Sequence, residues 1–190
     1  YRDGMVADTL SFTKNESVKS YLNLEPRLNA SFIIDERNSI KAGYSRNVQN
    51  LHLISNSTSS TPIDIWVASG LNVKPETGDQ LTLGYFRNFS EDRFQFSSEI
   101  YFKWMDNQPD LKNGAEITAN EHIEGELLFG RGRAYGMEVL LKKKSGRLNG
   151  WIGYTLSRTE RLIDGINRNK WYPARQDATH DLSIVGIYDL

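Results

Sequence analysis

Apolar and polar side chains alternate along seven segments of this chain, and this period of two constrains the fold more than any other feature. In the first segment, Leu28, Ala30 and Phe32 alternate with Asn29 and Ser31. Successive side chains of a β-strand point to opposite faces, so each segment predicts a strand with one apolar and one polar face. No segment keeps the stripe of an amphipathic helix for three turns. The predicted strands cover residues 27–34, 39–45, 80–85, 93–104, 135–142, 148–157 and 181–190.

The connections between these strands are alternately short and long. Short polar turns are predicted at 35–38, 90–92 and 145–147, and long connections at 49–78, 106–133 and 159–178. A soluble β-sandwich or jelly roll also has alternating strands, so the period alone does not separate it from a membrane barrel. Short turns on one side and long loops on the other are typical of outer-membrane barrels. We therefore predict antiparallel strands paired in chain order, with all short turns at one end.

Composition excludes several classes of protein. The 23 basic and 24 acidic residues nearly cancel, so no basic surface for nucleic acid is expected. The chain has no cysteine, which excludes a disulfide scaffold, a thiolate zinc site and a cysteine nucleophile. No apolar run approaches the roughly 18 residues of a membrane-spanning helix. A transmembrane β-barrel stays open, because its strands are half polar and escape hydropathy averages.

Four segments carry a family resemblance. They are the N-V-K-P-E entry into a strand at 72–85, the G-R-A-Y-G-M-E strand start at 132–139, the W-I-G-Y-T-L-S-R strand at 151–158 and the start of the last strand at 176–183. Their order and spacing resemble the C-terminal half of the β-barrel of TonB-dependent outer-membrane receptors, over residues 21–190. The L-E-P-R-L opening at 24–28 resembles receptors of the Bacteroidetes group.

The resemblance implies an all-β, antiparallel up-and-down transmembrane β-barrel segment of about seven strands, within a family barrel of about 22 strands. Residues 1–190 are then a partial barrel domain, with a loop or strand end at 1–20 and the strands at 21–190. The first residues do not form a signal peptide and the last predicted strand runs to the final residue, so we expect a piece of a larger barrel. The plug domain and the energy-coupling box of the family are not expected in this chain.

The implied function is a receptor in the bacterial outer membrane that binds and actively imports a large nutrient. Glycan, siderophore, haem and peptide are all compatible with the sequence. The implied partners are outer-membrane lipid, the plug domain, the TonB energy-coupling complex and, as an option, a surface lipoprotein. The alternative is a soluble or surface β-sandwich that binds a partner and transports nothing.

The apolar phase of the strands predicts a lipid-facing surface. If the barrel interpretation holds, one set of side chains points outward and no second sheet covers it. The set comprises Phe32, Tyr44, Leu83, Phe94, Phe102, Val139, Leu141, Ile152 and Tyr154.

Enzyme signatures are absent from the sequence. Glu124 and Glu126 could form a glycosidase pair, but neighbouring loop carboxylates are usually solvated charges. The three histidines, His52, His122 and His180, lack the spacing of metal ligands. We therefore predict no enzymatic activity, no cofactor and no metal site.

Ligand recognition is predicted in the long connections, because loops on a rigid scaffold concentrate binding residues. Aromatic rings stack on flat ligands or sugars, and charged groups beside them add polar contacts. The alternative is that Trp66 and Trp171 pack the loops against each other. The candidate ligand-binding residues are Asp64, Trp66, Arg131, Arg133, Trp171, Tyr172 and Arg175.

Overall fold

A computed structural model describes residues 13, 17–54, 65–89, 91–112, 114–115, 120 and 123–189. These residues form ten strands and two short 3₁₀ turns, at Ile123–Glu126 and Asn167–Asn169, and no α-helix. None of their helices is long and apolar enough to cross a membrane. The strands are β1 Arg27–Ile33, β2 Asn38–Gln49, β3 Leu51–Ile54, β4 Ile65–Ala68, β5 Glu76–Phe89, β6 Phe94–Leu111, β7 Leu127–Lys143, β8 Leu148–Ile163, β9 Tyr172–Pro173 and β10 His180–Tyr188.

One antiparallel sheet dominates the structure. Its seven long strands lie in the order β1-β2-β5-β6-β7-β8-β10, and the two-residue β9 pairs with β8. Strands β3 and β4 form a separate hairpin within the connection from β2 to β5. The long strands thus follow chain order and pair antiparallel, which confirms the predicted topology and contradicts a Greek-key sandwich.

Short turns join the strands at one end of this sheet. In the first turn, the Asp35 carboxylate accepts hydrogen bonds from the amides of Arg37 and Asn38 at 2.8 and 2.9 Å. The Arg37 amide, followed by the Asn38 side chain, lowers the pKa of Asp35 below its ordinary value of 3.8. In the third turn, Gly146 has a φ of +101°, where a side chain would be strained. The predicted turn chemistry therefore accounts for this end of the sheet.

The sheet has two chemically different faces, which we call the apolar face and the polar face. Leu83, Ile100, Met137 and Leu156 form one cross-strand row of the apolar face. All nine residues predicted to face outward share this face by strand register. Phe32, for example, is 68% exposed, and no second sheet of the described residues covers it. The prediction of one shared, uncovered apolar surface is confirmed.

The bounds of the long connections were predicted wrongly. Strand β6 continues to Leu111 and β7 already begins at Leu127, so the second connection shrinks to 112–126. The first and third connections shrink to 50–75 and 164–179, and part of each still pairs as β3, β4 or β9. The backbone hydrogen bonds continue beyond the stretch in which the side chains alternate cleanly.

A small apolar core lies at the long-connection end. Its buried members are Ile54 and Val67 of the β3–β4 hairpin, Val73, and Leu111 and Leu127 at the ends of β6 and β7. This cluster packs the β3–β4 hairpin against the ends of β6 and β7. Over the rest of the sheet the apolar side chains stay exposed, which a stable protein tolerates only when another phase or partner covers them.

Candidate functional site

A cleft of about 890 Å³ opens at the long-connection end of the polar face. Strands β2, β5, β6 and β8 each contribute a polar-face residue to its wall, and the connection after β8 closes one side. Apolar side chains, including Leu53 and Ile166, line the remainder. The polar lining comprises Gln49, Glu76, Gln108, Asp110, Lys112, Arg161, Tyr172, Arg175 and Gln176.

A bulge in β6 directs two of these side chains into the cleft. The register between β6 and β7 shifts between Asp106 and Gln108, and the intervening Asn107 has a φ of +56°. Asn107 is held there by a 2.9 Å hydrogen bond from its side-chain amide to the Pro75 carbonyl. Without the extra residue, strict alternation would place Gln108 and Asp110 on the apolar face. Bulges re-aim side chains in this way beside functional sites.

Glu76 is the centre of the first polar cluster in the cleft wall. Its Oε1 lies 2.7 Å from Nδ1 of His52, and its Oε2 accepts a 2.5 Å hydrogen bond from the Gln108 amide. The His52 ring is 1% exposed, and its Nε2 lies 3.0 Å from the Ser69 hydroxyl. This chain of contacts ties the β3–β4 hairpin to the sheet.

The order Ser69–His52–Glu76 is that of a hydrolytic triad, but the surroundings do not support catalysis. An acyl-transfer site needs free N–H donors beside the nucleophile to stabilise the oxyanion. The amides of Ser69 and Gly70 instead donate to the carbonyls of Asn50 and Val73, both at 2.8 Å. We interpret this cluster as structural, since it connects the β3–β4 hairpin to the sheet.

Asp110 is the centre of the second polar cluster. Its Oδ2 accepts a 2.8 Å hydrogen bond from the Tyr172 hydroxyl and lies 3.7 Å from Nη1 of Arg161. Desolvation, and then the hydrogen bond to Asp110, raise the pKa of Tyr172 above its ordinary value of 10. The hydroxyl therefore stays protonated and donates over the physiological pH range. This cluster fixes the third connection against the ends of β6 and β8.

The wall formed by these clusters suits hydrogen bonding to a polar solute. It combines carboxylates, carboxamides and guanidinium groups with apolar side chains such as Leu53 and Ile166. Within the described ranges, no three acidic or histidine side chains are grouped so as to hold a metal ion. These side chains offer both hydrogen-bond donors and hydrogen-bond acceptors at the surface of the cleft.

The structure divides the seven residues predicted from sequence. Tyr172 and Arg175 line the cleft. Trp66, on β4, is 60% exposed beside its cross-strand partner Leu53, which also lines the cleft. Asp64 lies outside the described residues.

The other three predicted residues lie together away from the cleft. Arg131 and Arg133 belong to strand β7 rather than to a loop, and by register both are on the apolar face. Trp171 stacks over Arg133, with 4.2 Å between the guanidinium carbon and the ring centroid. Trp171 thus packs against an arginine, and Trp66 is largely open to solvent, which does not favour the alternative that the two tryptophans pack the loops together.

Sequence reasoning missed Glu76, Gln108, Asp110 and Arg161. Extending the alternation of β5 and β8 would have placed Glu76 and Arg161 on the polar face. The bulge at Asn107 removes that signal for Gln108 and Asp110, because it reverses the phase of β6.

The model of the family described as "TonB dependent receptor-like, beta-barrel" matches residues 2–186. The chain belongs to this family. A search of curated proteins found no match. The sheet is accordingly a segment of an antiparallel β-barrel, with its apolar face toward lipid and its polar face toward the lumen. Proteins of this family are outer-membrane receptors for nutrient import rather than enzymes.

Proposed function

We propose that this segment forms part of the wall of a larger outer-membrane barrel that binds a large nutrient and actively imports it. The observation that carries the proposal is the polar cleft, which lies on the lumen face at the long-connection end of a chain of this family. In outer-membrane barrels the long loops are extracellular. The cleft would then lie at the mouth, where a solute arrives first.

The cleft supports contact with part of a large solute. Its volume of about 890 Å³ lies within the usual range of ligand sites, roughly 300–1,000 Å³. Tyr172 and Arg175 supply polar contacts, and the exposed Trp66 offers an aromatic surface beside Leu53. Glycan, siderophore, haem and peptide remain the candidate cargo classes. The L-E-P-R-L segment at 24–28 favours a receptor of the Bacteroidetes type.

The proposal includes partners beyond this segment. A plug domain of the same protein would fill the lumen and meet the polar strand face. The TonB complex would supply energy through a more N-terminal part of the receptor. A surface lipoprotein is a further candidate that would cover the mouth from outside.

Uptake by a deletion strain tests the proposal. Cells without the receptor gene are compared with complemented cells for uptake of a labelled siderophore, haem, an oligosaccharide and an oligopeptide. We expect one class to be lost, and we expect the protonophore carbonyl cyanide m-chlorophenylhydrazone to abolish its uptake in complemented cells. Uptake that resists the protonophore would indicate a passive pore, and unchanged uptake of all four classes would contradict import.

The contribution of the cleft is tested separately in the intact receptor. Gln108→Ala and Trp66→Ala should each weaken cargo affinity at normal surface abundance, whereas Leu141→Ala on the lipid face is the matched control. Reduced abundance with unchanged affinity per molecule would assign the two residues a structural role. Unchanged affinity at normal abundance would remove the cleft from the proposal.

A further inference from the structure

The β3–β4 hairpin points part of its backbone away from the ladder that joins its two strands. The Ser69 amide donates to the Asn50 carbonyl at 2.8 Å, so these two residues form a hydrogen-bonded cross-strand pair. Hydrogen-bonded and non-hydrogen-bonded pairs alternate along an antiparallel ladder. By this alternation, Leu51 and Leu53 of β3 direct their N–H and C=O groups outward, and we call these four groups the β3 edge.

Most of the β3 edge has no hydrogen-bond partner among the described residues. The side-chain amide of Gln49 donates to the Leu51 carbonyl at 2.8 Å. No described residue hydrogen-bonds the Leu51 amide or either outward group of Leu53. Proteins usually protect such an edge with charged residues or proline, but β3 has no proline and its one ionisable side chain, His52, is buried. The edge can therefore pair with another extended segment.

The β3 edge borders the cleft on the lumen face. Leu53 and Ile54 of β3 line this cleft together with Gln49, whereas no residue of β4 does. The side chain of Leu53 is 45% exposed, and that of its cross-strand partner Trp66 is 60% exposed. The hairpin is separate from the long sheet, so a neighbouring strand of the barrel wall would extend β1 or β10 and not β3.

From this arrangement we propose that the cargo is an oligopeptide, which binds in an extended conformation by adding a strand to the β3 edge. An extended peptide repeats its N–H and C=O groups every second residue, about 7 Å apart, which is the spacing between Leu51 and Leu53. Strand addition takes its affinity from main-chain hydrogen bonds and its specificity from alternate side chains. Neither a glycan nor haem has such a backbone. In antiparallel addition, the peptide residue opposite Leu53 places its side chain on the hairpin face that carries Trp66.

This inference rests on the proposed function, because it names the cargo class for the same cleft. Binding to the purified receptor is therefore measured separately from uptake by cells. The result for the β3 edge then does not depend on whether import is energised.

Fluorescence anisotropy of labelled octapeptides measures binding to the intact receptor in dodecyl maltoside. In the four probes, threonine alternates with valine, leucine, phenylalanine or tyrosine. Each probe that binds is then N-methylated either on all its threonines or on all its other residues, which removes amide donors and keeps the side chains. Alternate residues of a strand point their amides to opposite sides. We expect methylation of one set to weaken binding about tenfold, which corresponds to about 1.4 kcal/mol, and methylation of the other set to leave it unchanged.

Binding of none of the four probes would overturn the proposal. An equal loss from both methylated sets, or no loss from either, would also overturn it, because a strand on an edge uses only one side of its backbone. These measurements use the wild-type receptor and do not depend on the folding of a variant.

Leu53→Pro removes an outward amide from the β3 edge without breaking the ladder to β4, since proline is tolerated where a strand amide points to solvent. We expect it to weaken binding about fivefold, which corresponds to about 1 kcal/mol. Ala68→Pro is the matched control on the β4 side of the hairpin and should leave binding unchanged. Leu53→Ala keeps the amide and should keep the difference between the two methylated sets.

Unchanged binding by a Leu53→Pro receptor that keeps the heat-dependent gel migration of a folded barrel would overturn the proposal. An equal loss for Ala68→Pro would also overturn it, because the loss would then not be specific to the β3 edge. Uptake of a bound probe by complemented cells separates this inference from the proposed function. Alternating sensitivity to methylation without uptake would support the β3 edge and contradict import, whereas import of another cargo class with no probe bound would overturn the β3 edge alone.

Discussion

Replacing Met137 with arginine measures how deep the apolar face lies in the bilayer. Met137 is 43% exposed on this face and lies six residues from Lys143 and four from Arg133. Lys143 and Arg133 bound the uncharged part of this face. At a strand rise of about 3.4 Å and a tilt of about 40°, Met137 lies about 16 Å along the membrane normal from Lys143 and about 10 Å from Arg133. Met137 is therefore near the middle of the apolar band, where an arginine costs about 2–4 kcal/mol in a barrel.

Leu141→Arg is the matched control for this prediction. Leu141 is on the same strand and face and is 40% exposed, but it lies only two residues from Lys143. It lies about 5 Å along the membrane normal from Lys143, close to the edge of the apolar band, where the cost of an arginine falls to about 0–1 kcal/mol. The same substitution at two depths thus separates lipid exposure from a general intolerance of charge.

The assay is equilibrium unfolding of the intact receptor in phospholipid vesicles by guanidinium chloride, with the folded fraction read from heat-dependent gel migration. We expect the free energy of unfolding to fall by about 2–4 kcal/mol for Met137→Arg and by at most about 1 kcal/mol for Leu141→Arg. Equal losses for the two variants, or a larger loss for Leu141→Arg, would refute the depth assignment. A loss of at most about 1 kcal/mol for both would refute lipid contact at Met137.

Three further predictions address the bulge, the cleft and the first turn. Valine resists a positive φ, so Asn107→Val should shift the end of β6 by one residue against β7, whereas Asn107→Gly should keep the register. Cysteines introduced at Asp110 and Leu128 should therefore crosslink in the Asn107→Gly variant and not in the Asn107→Val variant. Tyr172→Phe should lower the free energy of unfolding by about 0.5–1.5 kcal/mol. Because its folded pKa is raised, this difference should be constant from pH 6 to 9 and shrink as pH rises above about 10 in urea titrations. Asp35→Asn should destabilise the turn at neutral pH, and the difference should vanish as pH falls below 3.8 in hydrogen-exchange measurements of the turn amides, because the folded pKa of Asp35 is lowered.

The topology could be predicted from the sequence because each of its determinants is local. Alternation fixes which face a side chain occupies, and short polar turns such as Asp35-Glu36-Arg37 leave no room for another strand between neighbours. The strand ends could not be predicted in the same way. Backbone pairing continues through Arg131 and Arg133, where the side-chain pattern no longer reads as apolar against polar.

The candidate site was harder to predict, because its contacts join distant positions. Glu76 meets Gln108 across 32 residues, and Tyr172 meets Asp110 across 62 residues. Trp171 was predicted to bind ligand because of its aromatic ring, but this ring stacks on Arg133 of the apolar face. The sequence did contain the information that places Arg131 and Arg133 on the apolar face, because both positions continue the alternation of Tyr135 and Met137.

The bulge at Asn107 shows why one periodic pattern can build both a membrane wall and a polar mouth. Below it, alternation places Phe102 and Trp104 toward lipid and Lys103 toward the lumen. A strand that continued unchanged would place Gln108 toward the outside at the height where the cleft forms. One extra residue, stabilised by its bond to the Pro75 carbonyl, reverses the phase while the hydrogen-bonded ladder continues to Leu111. The two polar side chains that β6 contributes to the mouth therefore depend on a single backbone irregularity, and the residues of β6 below it keep the alternation that a lipid-facing strand needs.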